Sequence, residues 1–484
     1  MTDIPARRSA PRTLAKTLIA ALCAGAAACS STGGPLGLSP QQEQQIGQQQ
    51  HPLILQEYGG EVDDAALRAY VEGVTRKLIA VGDKPNDPIV ISTLDSPVVN
   101  AFALPGHVYV TRGLLSLANS EAELAGVIGH ELGHVYSRHT AERVSRSNVT
   151  GIGAALIGIL TGSQQTMQMA GQLGQLYLLK YSRSQEYESD LIGVRLLAKS
   201  GYDPTAQADF LNTLGRWSNL EAQLAGQQAA PPEFLSTHPN SAERVRRAAA
   251  EAQVVSSGST TRNRDEYLRR IDGMLYGDDP VKQGFVRGNE FIHPAMALAF
   301  SVPQGMKLYN TPSAVIARSQ NAQMQFTSGN STQTPQQIID GPLSQQLGVS
   351  LSPSRAITVN GRSGAVGSAR ANTQSGQIDV QAYVIRWQGD TNYIFLWMTP
   401  ANATSSMQSG INASVNSLRA IDPRSVKAPP AQRIRIATVR AGDTAAGLSA
   451  QSAFEQAKAE RFVVLNGLAG AGALQTGEKV KIVR

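Results

Sequence analysis

The chain has 484 residues, 42% of them hydrophobic and 17% charged, with a formal net charge of +6. That is too long for one ordinary core, so two or three domains are expected, and the composition excludes an acidic or disordered chain. Four of the 43 basic residues and one of the 37 acidic residues lie in 1–28, so 39 and 36 remain, a balance that argues against nucleic acid as a partner.

Residues 1–28 have the build of an export signal. Arg7, Arg8, Arg12 and Lys16 precede an apolar stretch at 18–22, and small residues follow up to Ala28. About a dozen apolar residues are too few for a bilayer, which takes roughly 20. The segment ending at Cys29 resembles a bacterial lipobox, with Ala26 where leucine is commoner and Ser30 after the cysteine. The resemblance implies removal of 1–28, acylation of Cys29, and a periplasmic lipoprotein anchored to the outer membrane. An ordinary cleaved signal is the alternative. Cys23 would leave with the signal, so no disulfide framework is expected.

Residues 29–40 read as a tether. From 41 to about 79 the spacing of Leu67, Tyr70, Val71, Val74 and Leu78 is helical. Strands are expected at 88–94 and 106–111, with Asn100, Ala101, Phe102 and Ala103 between them. Helices dominate from 119 to about 254. Within that span 149–160 is apolar and glycine-rich, too short to cross a membrane, and reads as a packed helix or a flap over a cleft. Polar residues at 255–264 close a first domain, 41–255, and a short helix follows at 263–275. Strand-like runs at 314–317, 378–387 and 393–397 make 276–425 a mixed or mostly β domain without evident chemistry. A linker at 425–432 leads to a compact tail, 433–484. No repeat of 20–50 residues is present, which argues against a solenoid.

The chemistry concentrates in 119–143, NSEAELAGVIGHELGHVYSRHTAER. Ser120 and Glu123 have capping-box spacing and start a helix. His130 and His134 are four apart, so one helix face presents both imidazoles to a single ion. Glu131 sits on the adjacent flank, placed to reach a water on the metal without being a ligand, as zinc-assisted hydrolysis requires. Gly126, Gly129 and Gly133 allow another element to come close. His139 is rotated off the ligand face and reads as a residue behind the ligands or on the surface, not as a ligand. A third ligand is needed, and 181–193, YSRSQEYESDLIG, offers Glu186 and Asp190 four apart on one helix face. One of the two suits the metal and the other a ligating histidine's second nitrogen.

The order NAFALPG…VYVTRGLL, HELGHVYSRH, YSRSQEYESD, LSTHPNSAER resembles the gluzincin family of zinc metallopeptidases that contains HtpX, BepA, LoiP, mitochondrial Oma and the CAAX prenyl protease. The likeness covers about 40–250. It implies one Zn2+ held by His130, His134 and Glu186, with Glu131 as general base and acid and Asp190 as the family's aspartate beyond the glutamate. It makes Asn100, Ala101, Phe102 and Ala103 the edge that pairs with extended substrate. His238 and Arg244 match a His-Pro…Arg element. The resemblance implies either that they steady the oxyanion or that His238 fills the open metal position and keeps the enzyme latent.

Beyond 255 no tetratricopeptide pattern follows. Residues 276–288 and 291–300 resemble lipoprotein members of the same family, and His293 reads as structural. The tail resembles a LysM module of strand–helix–helix–strand form, with Ala445 and Ser449 departing from the usual residues; the resemblance implies peptidoglycan as a ligand. The expected fold is α+β: a mainly helical peptidase domain with a small edge sheet, a mostly β domain, and a βααβ tail. The expected function is cleavage of unfolded or misassembled envelope proteins, against the alternatives of a latent chaperone or assembly factor and of a cell-wall-associated scaffold.

Overall fold

The computed structural model describes residues 39–147, 180–225, 233–239, 242–255, 258–311, 313–373 and 376–484. The expected signal, Cys29 and the run 149–160 lie outside the described residues. Among the described residues no helix is long and apolar enough to cross a membrane.

The helical spacing of 41–79 resolves into two helices, not one. Helix α1 (Pro40–Glu57) starts on a capping box between Ser39 and Gln42. It stops where Gly59 and Gly60 take φ of 82° and 86°, and α2 (Ala65–Ala80) begins on an Asp64 cap. Strands β1 (Val90–Leu94), β2 (Ala101–Leu104) and β3 (His107–Thr111) form a sheet of order β1-β3-β2, with β3 parallel to β1 and antiparallel to β2. The segment expected to join two strands is thus itself an edge strand.

Among the described residues the helical domain continues with α3 (Arg112–Leu117), α4 (Glu121–Tyr136), α5 (His139–Ser147), α6 (Arg183–Lys199), α7 (Ala206–Ala225), α8 (Glu233–Thr237), α9 (Ala242–Val254) and α10 (Arg264–Ile271). The cap of α4 is half the expected box. Ser120 accepts from the Glu123 amide, while the Glu123 carboxylate reaches one residue further back, to the Asn119 amide at 2.9 Å.

The second domain is sheet-rich, as composition suggested. Its strands are β4 (Phe285–Arg287), β5 (Glu290–His293), β6 (Leu298–Ser301), β7 (Lys307–Asn310), β8 (Val315–Arg318), β9 (Gln323–Asn330), β10 (Arg355–Val359), β11 (Arg362–Thr373), β12 (Gly376–Gln388), β13 (Thr391–Pro400) and β14 (Arg419–Ala420). Seven of them make an antiparallel sheet of order β10-β11-β12-β13-β9-β8-β7, and β14-β6-β5-β4 make a second. Phe300, Phe326, Phe395 and Trp397 fill the space between these sheets and α11 (Thr404–Asn416). His293 is structural as expected: its Nδ1 accepts from the Met296 amide.

The tail runs β15 (Ile434–Thr438), α12 (Ala445–Ala450), α13 (Lys458–Leu465), β16 (Lys479–Val483), with β15 and β16 antiparallel. It is docked rather than strung out. Ile434, Phe454, Val464, Leu465 and Val483 join the hydrophobic core of the helical domain.

Candidate metal centre

The centre forms where two helices meet through glycine. A Cβ at Gly129 would stand 3.1 Å from the Gly193 Cα, and one at Gly133 would stand 2.9 Å from the Ser189 Cα. Only hydrogen at these positions lets α4 and α6 lie so close. The approach brings Glu186 and Asp190 of α6 to His130 and His134 of α4.

His130 Nε2 and His134 Nε2 are 3.0 Å apart. Glu186 places its oxygens 3.7 Å from the first and 3.6 Å from the second. His238, just past α8, adds Nδ1 at 3.0 Å from Glu186 Oε1 and 3.2 Å from His130 Nε2. One donor atom from each of these four buried residues lies within 4.8 Å of the others. Three imidazoles and one carboxylate on so tight a set suit a divalent transition-metal ion.

The remaining ring nitrogens have partners that turn Nε2 toward the centre. His130 Nδ1 is 2.9 Å from Asp190 Oδ1, and His134 Nδ1 is 2.9 Å from His139 Nδ1. Asp190 also accepts from Arg244 Nε at 2.7 Å, Arg244 Nη2 at 2.8 Å and Gln207 Nε2 at 3.0 Å. Arg244 Nη1 lies 2.6 Å from Glu186 Oε2 and 3.4 Å from the carbonyl oxygens of His238 and Pro239. Arg244 therefore ties the ligand helix to the His238 loop.

Burial opposes ionisation of Asp190 most strongly, but Arg244 and the bond to His130 outweigh it and hold the carboxyl well below the ordinary carboxylate range. Glu186 is also lowered, because His238 and Arg244 overcome its burial. His134 is held well below an ordinary imidazole by burial and by the neighbouring imidazoles, so it stays neutral, the form that ligates. Glu131 is different. Among the described residues neither of its carboxylate oxygens has a hydrogen-bond partner, its Oε1 is 3.6 Å from His238 Nε2, and burial pushes it up to about 8. A carboxylate without a fixed partner and with raised proton affinity is suited to accept a proton.

Asn100, Ala101, Phe102 and Ala103 are all buried and lie on or just before β2, which packs against α4. The Asn100 amide donates to Thr111 Oγ1 at 3.0 Å, and its side-chain nitrogen donates to Tyr58 Oη at 3.2 Å. The sequence reading missed several supports. Tyr181 stacks on His134 at 3.6 Å, under the Arg143 guanidinium, and Phe234 stacks on His238 at 4.6 Å while its amide donates to the Val99 carbonyl. His139, expected to stand behind the ligands or on the surface, is buried and orients His134. Tyr181 opens the quoted motif, so its position was visible; nothing in spacing announces Phe234.

A family model described as Peptidase family M48 matches residues 65–252. Among curated relatives, the "Mitochondrial metalloendopeptidase OMA1" of Schizosaccharomyces pombe is 31% identical over 213 residues, 42% of this chain and 59% of the relative. The "Beta-barrel assembly-enhancing protease" of Yersinia pestis is 31% identical over 229 residues, 45% of each chain. Its Escherichia coli K12 counterpart is 27% identical over 283 residues, 54% of this chain and 57% of the relative. The chain spans about half the length of the curated relatives it matches.

Proposed function

We propose, from the match of residues 65–252 to the model described as Peptidase family M48, that the chain is a zinc-dependent endopeptidase acting on unfolded or misassembled proteins of a bacterial cell envelope. The observation that carries the reading is the convergence of His130, His134, Glu186 and His238 beside Glu131, whose carboxylate has no hydrogen-bond partner among the described residues. His130, His134 and Glu186 would hold the zinc, leaving one position for reactants. When bound, zinc supplies the Lewis acidity that polarises the scissile carbonyl and acidifies water. Glu131 takes the proton of the attacking water and returns it to the leaving nitrogen. Asn100, Ala101, Phe102 and Ala103 hold the substrate backbone extended along β2. Asp190 and Arg244 keep His130 and Glu186 aimed.

A second reading, latency, is favoured by the position of His238 among the ligand atoms. Phe234, stacked on His238 and bonded to Val99, pins that segment beside the start of β2. In this reading His238 would be a fourth holder of the metal and would have to leave the cluster before a substrate is received. A chain that stayed latent would act as a chaperone or assembly factor instead.

Glu131→Gln tests the main reading. It should retain metal and lose casein cleavage by roughly 10²–10⁴-fold; cleavage at the unsubstituted rate would remove Glu131 from its role. His238→Ala should raise cleavage if the histidine blocks the centre and lower it if its main part is on the oxyanion. The envelope setting rests on residues 1–28 and on lipidation of Cys29, which Cys29→Ala should abolish in a lipid-labelling assay. The βααβ order of 433–484 supports a LysM-like module with peptidoglycan as ligand, read by pull-down on purified sacculi.

A further inference from the structure

A cavity of about 420 Å³ lies at the 97–99 end of the edge strand. It is composite. Residues 97–99 lead into Asn100 and β2, Arg112 opens α3, Trp217 and Glu221 belong to α7, Tyr276 to the passage between the domains, and Arg461 to α13 of the tail.

Arg112 is the anomaly in its wall. The residue is 2% exposed, its Nε donates to Asp95 at 2.7 Å, and its Nη1 donates to the carbonyls of Leu275 and Gly277, each at 2.8 Å. Its Nη2 has no hydrogen-bond partner among the described residues. A guanidinium keeps its charge, and a buried donor without an acceptor is costly, so an acceptor from outside the chain is the economical completion. Arg112 also borders a larger cavity of about 680 Å³, but that wall sets five aspartates against three cations. In the smaller cavity Asp95 answers Arg112 from behind the wall and Glu221 answers Arg461, so what is left unmet there is a guanidinium donor, which favours an anion, whereas the aspartates of the larger wall disfavour one. Arg461 is bound to Glu221 at 2.5 Å and stands 5.6 Å from the Trp217 ring, which fixes it at the rim.

The cavity is also in line with the strand. The Thr111 hydroxyl lies 2.6 Å from the Val98 carbonyl oxygen, and the Gly113 amide donates to the Ser96 carbonyl, so the 96–100 loop is held in place. A peptide added to β2 as a further strand advances about 3.3 Å per residue, and past Asn100 it runs toward this opening.

We propose that the cavity is a specificity pocket for a carboxylate of an extended peptide lying on β2, received by Arg112 Nη2 and Arg461. The proposal rests on the peptidase reading. The carboxylate is either the chain end of the substrate or an aspartate or glutamate side chain. The tail, by supplying Arg461, is then part of the substrate site.

Binding is measured on the full chain carrying Glu131→Gln, loaded with zinc, by fluorescence anisotropy. Three labelled peptides share one sequence: one with a free C-terminal carboxylate, one amidated and ending in Gln, and one amidated and ending in Glu. At least one acidic peptide should bind about tenfold more tightly than the neutral one, and which one gains tells chain end from side chain. The ratio should fall toward one in Arg461→Gln and in Arg112→Lys; the first alters a rim residue and keeps the test open should the second fail to fold. Equal affinities, including no binding of any of the three, overturn the proposal, as does a preference that survives Arg461→Gln. The same peptides are given to the unsubstituted chain. Cleavage without an acidic preference sinks the pocket alone, whereas preference without cleavage sinks the peptidase reading alone.

Discussion

His130 Nδ1 lies 2.9 Å from Asp190 Oδ1, and Asp190 is in turn gripped by Arg244 Nε and Nη2. This chain of contacts sets the tautomer of the His130 imidazole from a second helix, leaving its Nε2 for the centre.

Asp190→Asn keeps an oxygen for His130 but removes the charge that Arg244 and the imidazole both face. Metal affinity should fall roughly 10–100-fold, as when such outer partners are lost elsewhere. Chelator competition measures it, and an unchanged affinity would take Asp190 out of the metal centre.

Gly133→Ala sets two effects against each other. Alanine favours a helix interior by about 1 kcal/mol, but its Cβ would stand 2.9 Å from the Ser189 Cα, where backbone must yield. Overpacking of about 1–3 kcal/mol should win, giving a less stable protein with weaker metal binding. Denaturant unfolding with and without chelator separates the two losses. A stabilised variant would show that the helices do not touch there.

Lys481 is fully buried on β16, and its Nζ lies 2.8, 3.2 and 2.7 Å from the carbonyl oxygens of Ser116, Leu117 and Ala118. These close α3 just before the Ser120 cap of the HELGH helix. Lys481→Met should cost about 2–4 kcal/mol by leaving buried acceptors unmet. Calorimetry should show the helical domain losing stability together with the tail; a tail that melts separately would contradict this coupling.

His107 packs against His51 at 4.8 Å between ring centroids, and burial, its largest cause, lowers its proton affinity from the ordinary 6.5. The unfolded chain therefore takes up this proton first as pH falls. The stability tied to a neutral His107 is full above about 6.5 and declines below it, until the folded imidazole also titrates. The midpoint of thermal unfolding should drop between pH 7.5 and 5.5, and less so in His107→Asn. Equal slopes in the two proteins would acquit His107.

Much of the centre was legible because helical geometry is local. Spacing alone places His130 with His134 and Glu186 with Asp190, each pair on one face of its helix, and the glycines of α4 announced a close neighbour. The break at Gly59 and Gly60 was missed because apolar spacing continues across it. The edge strand β2 was read only through the family likeness, since four buried residues in a row carry no alternation.

The sequence by itself determined which side chains share a helix face, His130 with His134 and Glu186 with Asp190, and the succession of a helical region, a sheet-rich region and a βααβ tail, because these follow from periodicities of a few residues. Tertiary structure decided that Arg244 holds Asp190 and Glu186, that His238 stands within hydrogen-bond distance of His130 and Glu186, a place that spacing could not give and only the family likeness suggested, and that Lys481 and Arg461 bring the tail onto the helical domain. Those contacts join residues from 52 to more than 360 positions apart. Burial and packing select such pairs, and no local pattern encodes them.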